Sequence, residues 1–472
     1  MSAPAPVAEQ ARARPGSRAW LAPAACVLAA VASLRVPAML GFDPWVWLIW
    51  GRELLHGLPT NDGSLAWKPL PVLVTVWLAP FGDAAPALWL VISRAAGLFG
   101  LVLLWRLAAR LAGPPTAGLI GVLAGAFATA AFLLTPDAES RWIRHLLQGN
   151  IEPVTVMLCL WAVHRHLDGR RGQALVLGGA AGLTRPEVWP LLTAYAVFLL
   201  VTEGRRRWWQ VAFVLAAVPV LWFGGDRLVS GDALGGAEVA RVLQAGPAQR
   251  VVVAMDAAAA AVIVPVWIGA AVAVVWAAQR RRPVPVVLAA GALVWVLEVV
   301  VMAGAFGYAA LGRFYAPVSA VLCVLAGVAV GWLAASVRGG VVRVLVVVAV
   351  VVASLPFATQ RVAWLPAQLD AADARAAMET DLDGVLARPG PQRILACGSV
   401  VIDTAAPNVE LRPGLAWKLG LPIGGVVHTL PPGPAVAFAQ AGGPWEPALV
   451  ATPGAVPLAR SDRWAVYAIG CP

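Results

Sequence analysis

An aspartate followed by proline, Asp43-Pro44, stands near the head of the segment GFDPWVWLIWGRELLHG, residues 41–57. A carboxylate there has two uses. It can cap a helix, with Pro44 at the first helical position and Gly57 closing the far end. It can also take a proton from a hydroxyl as a general base. Trp45, Trp47 and Trp50 follow at once, and suit a helix lying in a membrane interface with its apolar face among the headgroups. Further on, Lys68 opens the Pro-rich apolar stretch WKPLPVL, and the only other lysine is Lys418. A lysine is a compact point charge suited to a phosphate, and equally a residue that snorkels at an interface.

The composition says what kind of scaffold holds these residues. The chain has 472 residues, 60% hydrophobic and 13% charged, with a mean hydropathy of +0.77. That much apolar surface excludes a soluble domain, and the apolar runs are continuous rather than alternating, which excludes a barrel. We read about eleven transmembrane helices, roughly 19–40, 85–107, 116–135, 150–167, 172–185, 188–202, 210–225, 257–278, 284–304, 314–336 and 341–358. The net charge of +10 is nearly all arginine, in clusters such as Arg205-Arg206-Arg207 and Arg280-Arg281-Arg282 between apolar runs. Such clusters mark loops on an anionic cytoplasmic leaflet, not a nucleic-acid surface. Their alternation puts the N-terminus inside and, after eleven spans, the C-terminus outside. Carboxylates then gather on the outer face, among them Asp43, Glu53, Asp62, Asp137, Glu139, Glu152 and Glu187.

The expected domains are a cytoplasmic tail, 1–18, a transmembrane domain, 19–358, with a first outer loop, 41–84, and an extracytoplasmic α/β domain, 359–472. The tail's arginines and Ala30-Val31-Ala32 resemble a signal peptide, but apolar character continues to Phe42, which favours an uncleaved anchor. In the last domain LPAQLDAADARAAMETDLDGVLARPG reads as helix, and RILACGSVVI, AVAFAQ and RWAVYAIGC read as short strands. Cys26, Cys159 and Cys323 read as buried small hydrophobes. If that domain is outside the cytoplasm Cys397 and Cys471 could pair, and two free thiols are an equal alternative. Arg94 and Glu298 fall near mid-depth, and pairing is the cheapest way to keep both there. The HRH at 164–166 reads as a solvated helix end.

The acid after the first span, the amphipathic helix and the Lys-Pro before an apolar run resemble the first outer loop of the GT-C glycosyltransferases. The closest flavour is the aminoarabinose lipid A transferases and the protein O-mannosyltransferase-like enzymes. GGAAGLTRPEVWPLL (178–192) and LGRFYAPVSAVL (311–322) resemble recurrent outer-end segments of the same superfamily. The resemblance implies an inverting hexosyl- or pentosyltransferase of the inner (plasma) membrane. It would use a polyprenyl-phosphate-sugar donor and an envelope glycan, lipid or protein acceptor. Asp43 takes the place of the catalytic acid and Lys68 that of the lysine on the lipid phosphate. Many members carry a second acid directly after the first; here that position is Pro44.

In that chemistry an acceptor hydroxyl attacks the anomeric carbon, the carboxylate takes its proton, and cations stabilise the departing phosphate. Lys68, Arg185 and Arg313 are the expected phosphate-binding cations. Arg185 also reads as a helix-end partner of Glu187, and Arg313 as an interfacial anchor. Glu53, Asp62, Glu139 and His145 are candidate substrate or metal contacts; no cofactor is required, no metal is assigned, and a divalent ion remains an option. Two other functions compete: a transporter or lipid flippase, and a non-enzymatic envelope assembly partner. An odd span count, no internal repeat and few mid-membrane polar residues weigh against transport.

Overall fold

The structure, a computed structural model, describes residues 20–57, 59, 62–63, 65–114, 118–134, 142–242, 244–403 and 408–471. A helical core carries a smaller, sheet-containing part at one end. The core runs through α1 (Leu21–Ala32), α2 (Phe42–Glu53), α3 (Pro69–Leu78), α4 (Ala85–Ala112), α5 (Gly118–Leu134), α6 (Trp142–Gln148), α7 (Glu152–Leu167) and α8 (Arg171–Gly182). It continues through α9 (Trp189–Glu203), α10 (Trp208–Ser230), α11 (Gly235–Val239), α12 (Pro247–Ala260), α13 (Val264–Gln279), α14 (Pro283–Phe306), α15 (Ala316–Ser336) and α16 (Gly340–Val362).

Among the described residues, five helical segments are long and apolar enough to cross a membrane, or up to seven if each of two bent pairs counts as one span. The bends are 115° between α6 and α7 and 83° between α12 and α13. The eleven expected spans thus resolve into fewer full-length helices. The expected span at 172–185 is α8, whose 12 residues reach about 18 Å, against a hydrocarbon layer of about 30 Å. Lipid-facing apolar side chains, among them Phe213 on α10, Leu293 on α14 and Leu345 on α16, are exposed on the outside of the bundle. α15 is its axis and is buried along most of its length. A Cβ at Gly327 would stand 2.5 Å from the Ala124 carbonyl oxygen, so only glycine allows α15 and α5 to approach this closely.

Two expectations about charged groups fail. Arg94 does not pair with Glu298. Its guanidinium donates to Ser33 Oγ at 3.0 Å and to the Leu146 carbonyl at 3.1 Å. Helix-end oxygens lie nearer than any carboxylate, while Glu298 has no ion pair among the described residues. His164 is buried rather than solvated, its Nε2 meeting the Leu103 carbonyl at 2.8 Å.

After α17 (Leu365–Ala387) come α18 (Pro391–Cys397), β1 (Ser399–Ile402), α19 (Asn408–Lys418), β2 (Val426–Val427), β3 (Ala435–Gln440), α20 (Glu446–Val450), β4 (Ala455–Arg460) and β5 (Trp464–Ile469). The sheet order is β2-β1-β3-β5-β4. β1 is parallel to β2 and β3, with Ser399 opposite Ala435, whereas β5 is antiparallel to β3 and β4. RILACGSVVI is only half strand, because Pro391 starts a helix that runs to Cys397. Cys397 and Cys471 form a disulfide. The Trp464 indole donates to the Met378 carbonyl at 2.9 Å and ties the sheet to α17.

α2 is the joint between the two parts. Residues 44–51 are all buried, so its tryptophans face protein and not headgroups, contrary to expectation. α19 covers it: Arg52 donates to the carbonyls of Trp417 at 3.1 Å and Leu421 at 2.7 Å, and lies over the Trp417 ring.

Candidate functional site

Four charged residues that precede a proline converge at one end of the bundle: Asp43, Lys68, Glu152 and Arg185. A proline pushes the residue before it out of the helical region unless a first turn already holds it. Lys68 and Arg185 are accordingly extended, each at the N-cap of the helical turn that its proline begins. Their side chains leave the helix axis instead of lying along it. Asp43 and Glu152 lie in the first turns of α2 and α7, where the positive end of the helix favours a carboxylate. Backbone bonds bring these ends together. Gly41 N–H donates to the Gln148 carbonyl at 2.9 Å, and Leu70 N–H to the Leu183 carbonyl at 3.1 Å. Arg313 arrives from the turn Gly312–Tyr315 that leads into α15.

The cluster has a rim and a floor. On the rim, Lys68 Nζ donates to Asp43 Oδ2 at 3.3 Å, and Arg313 Nη1 lies 3.7 Å from the same oxygen. The side chains of Asp43, Lys68 and Arg313 keep 13%, 12% and 26% of their exposure, so a ligand can reach them. On the floor, Glu152, Arg185 and Glu187 are buried. Arg185 hydrogen-bonds Glu152, reaches Glu187 at 3.5 Å and stacks over Phe314 at 4.3 Å. Tyr308 donates to Glu187 at 3.1 Å. Arg313 Nε stands 3.9 Å from Glu152 Oε1 and links the two levels.

Burial pushes the Asp43 carboxyl up, but Lys68 and Arg313 outweigh it and hold the group below the usual carboxylate range. Burial lowers Lys68, with Arg185 and Arg313 adding to the effect against Asp43, so its ammonium gives up a proton more readily than an ordinary lysine. Buried polar atoms without a hydrogen-bond partner crowd this region: Glu152 Oε2, Glu187 Oε2, Arg185 Nε, Arg313 Nε and His145 Nε2. Such atoms are costly unless water or a ligand meets them. The arrangement can hold an anion on the rim and leave a carboxylate beside it.

Asp43 is not the cap of its helix. That place belongs to Gly41, with Asp43 two residues further in, so the carboxylate faces the cations and not the orphan N–H groups. Of the other candidates, Glu53 closes α2, about 15 Å along the axis from Asp43. Glu53 is therefore remote from the rim. Asp62 pairs with Arg412 of α19. Glu139, like Asp137, lies outside the described residues. His145 is buried, 3.6 Å from Glu152 and hydrogen-bonded by the Asn150 amide at 3.1 Å. Among the described residues no three His, Cys, Asp or Glu side chains are placed to hold a metal ion. Glu152 and Tyr308 were not singled out from the sequence. The signal for Glu152 was its acid-proline pair at a helix start after Gly149-Asn150, the same pattern as Asp43-Pro44.

No protein-family model matches the chain, and no curated protein matches it in sequence. Among solved structures it is similar to ArnT from Cupriavidus metallidurans bound to undecaprenyl phosphate, with a TM-score of 0.52 and 18% identity over 96% of this chain and 98% of that one. The chain shares the overall fold of that protein. The apo state of the same ArnT gives a TM-score of 0.49 at 17% identity. The likeness spans both the membrane core and the sheet, so the arrangement of a multi-pass core with a small C-terminal β-containing part is shared over the whole chain.

Proposed function

We propose that the chain transfers a sugar from a polyprenyl-phosphate donor to an envelope acceptor at the outer face of the membrane, with inversion. The observation that carries this reading is Asp43 held on a partly exposed rim by two cations, Lys68 and Arg313. The ArnT it resembles in fold was solved with undecaprenyl phosphate, a ligand of the proposed donor class. The donor phosphate takes over Lys68 and Arg313, which releases the Asp43 carboxylate. Asp43 then accepts the acceptor hydroxyl's proton as its oxygen attacks the anomeric carbon. The carbon–oxygen bond to phosphate breaks, its electron pair stays on the phosphate, and the two cations stabilise that charge away from bulk water. Arg185, pinned by Glu152 and Glu187, supports the field from below.

The N-terminus is cytoplasmic and residues 359–472 are extracytoplasmic in this reading. The Cys397–Cys471 disulfide supports it, because such bonds persist in oxidising compartments. The test is a membrane assay with labelled polyprenyl-phosphate sugars. Release of polyprenyl phosphate with label on an envelope acceptor is the expected result. Labelled donor that crosses the bilayer intact would instead identify a flippase.

A further inference from the structure

On the side of α2 away from Asp43, a groove of about 750 Å³ opens between the outer ends of α1 and α4 and the flank of α17. Asp43 and Trp45 are two positions apart on α2, so they point to nearly opposite sides of it. Trp45 lines the groove, which therefore lies behind the proposed site.

The groove has two walls of different chemistry. The core contributes Leu34, Val36 and Leu90, at the level where α1 and α4 leave the bundle. The sheet-containing part contributes Asp373, Glu379 and Asp383 of α17, with the small side chains of Ala376 and Ala377 leaving room between them. Arg35 stands with the apolar wall. Lys418 reaches Asp383 at 2.7 Å and Glu379 at 3.4 Å and offsets one of the three negative charges. Neither Asp373 nor Arg35 has an ion-pair partner among the described residues, although both line the groove. The Trp45 indole is buried to 2% exposure and its N–H has no acceptor. A volume of this size holds a headgroup and the first carbons of its chains, not a whole lipid.

We propose that this groove binds one aminophospholipid of the outer leaflet. Its ammonium meets Asp373 and the Glu379–Asp383 pair, its phosphate meets Arg35, and its acyl chains leave along Leu34, Val36 and Leu90. The walls together supply an apolar face, a cation and carboxylates, which match the acyl chain, phosphate and ammonium of such a lipid. An anionic lipid without an ammonium would face carboxylates that Lys418 offsets only in part. Bound there, the lipid fills the space between α17 and the outer end of α1 and backs the helix that carries Asp43. The inference does not depend on the sugar-transfer reading.

The full chain, purified from vesicles with equal parts of phosphatidylethanolamine and phosphatidylglycerol, should retain phosphatidylethanolamine preferentially in native mass spectrometry. Asp373→Asn and Arg35→Gln should each lower that retention by about fivefold, the scale of one partly exposed charge contact. Ala377→Trp, which fills the groove without changing charge, should abolish it. Equal retention of the two lipids, or undiminished phosphatidylethanolamine in Asp373→Asn, would overturn the proposal. So would undiminished phosphatidylethanolamine in Arg35→Gln or in Ala377→Trp.

Discussion

Asp43 and Glu152 are both carboxylates among cations, and they differ in what water can reach. Glu152 is 1% exposed and fixes Arg185, whereas Asp43 is 13% exposed and shares the rim with Lys68 and Arg313. Glu152→Gln leaves a buried guanidinium without its strongest partner, a change that costs about 3–5 kcal/mol. Asp43→Asn at the partly wetted rim costs on the order of 1 kcal/mol. Denaturation of the two variants in detergent checks the order; a larger loss for Asp43→Asn would reverse the roles. Lys68 supplies a pH signature. Because burial lowers its pKa, the ammonium is lost as pH rises through a value below that of an ordinary lysine. Use of the phosphate-bearing donor should fall on that alkaline limb. Lys68→Arg keeps its charge, so the limb should move to higher pH, while the rate recovers only in part because a planar fork replaces a point charge. An alkaline limb unmoved by Lys68→Arg would remove Lys68 from the phosphate site.

The elements explain how such distant residues meet. α2 and α3 touch at Gly51, where a Cβ would lie 2.6 Å from the backbone carbon of Thr75. Thr75 Oγ1 in turn donates to the Trp47 carbonyl at 2.7 Å. Gly51→Ala should push the two helices apart, cost about 1–3 kcal/mol and slow transfer although Asp43 and Lys68 are untouched. Melting and rate measured on one preparation check this, and an unchanged rate would show that α2–α3 spacing does not set the site. Much of this level was legible in the sequence. The apolar runs announced the helices, and Asp43, Lys68, Arg185 and Arg313 were already singled out as the charged residues of the site. What was not legible depended on partners far along the chain. α2 read as interfacial because its tryptophans match a lipid belt, and only α19, some 360 residues later, shows that protein covers them. Glu152 read as one acid among many until the bend between α6 and α7 turned it toward Arg185. Arg94 and Glu298 matched by depth, but a guanidinium takes the carbonyls it can reach. β4 hid behind Pro457, tolerated there because it is an edge strand.

At the scale of the molecule, charged helix starts, the groove and the sheet all lie at one end of a bundle whose flanks are apolar. If that end is outside, the disulfide and the arginine clusters agree. Thiol labelling of the unreduced, denatured chain should therefore modify three cysteines, Cys26, Cys159 and Cys323, and a reporter fused after Pro472 should be active only in the extracytoplasmic space. Five labelled thiols, or a cytoplasmic reporter signal, would invert the orientation. The central claim is that Asp43 is the base of a lipid-linked sugar transfer. The measurement that tests it is the turnover of labelled polyprenyl-phosphate sugar in proteoliposomes, native chain against Asp43→Asn, with the folded fraction of each determined in parallel. The account predicts a variant that is folded and slower by about 10²–10⁴-fold. A folded Asp43→Asn chain that transfers sugar at the native rate would contradict it.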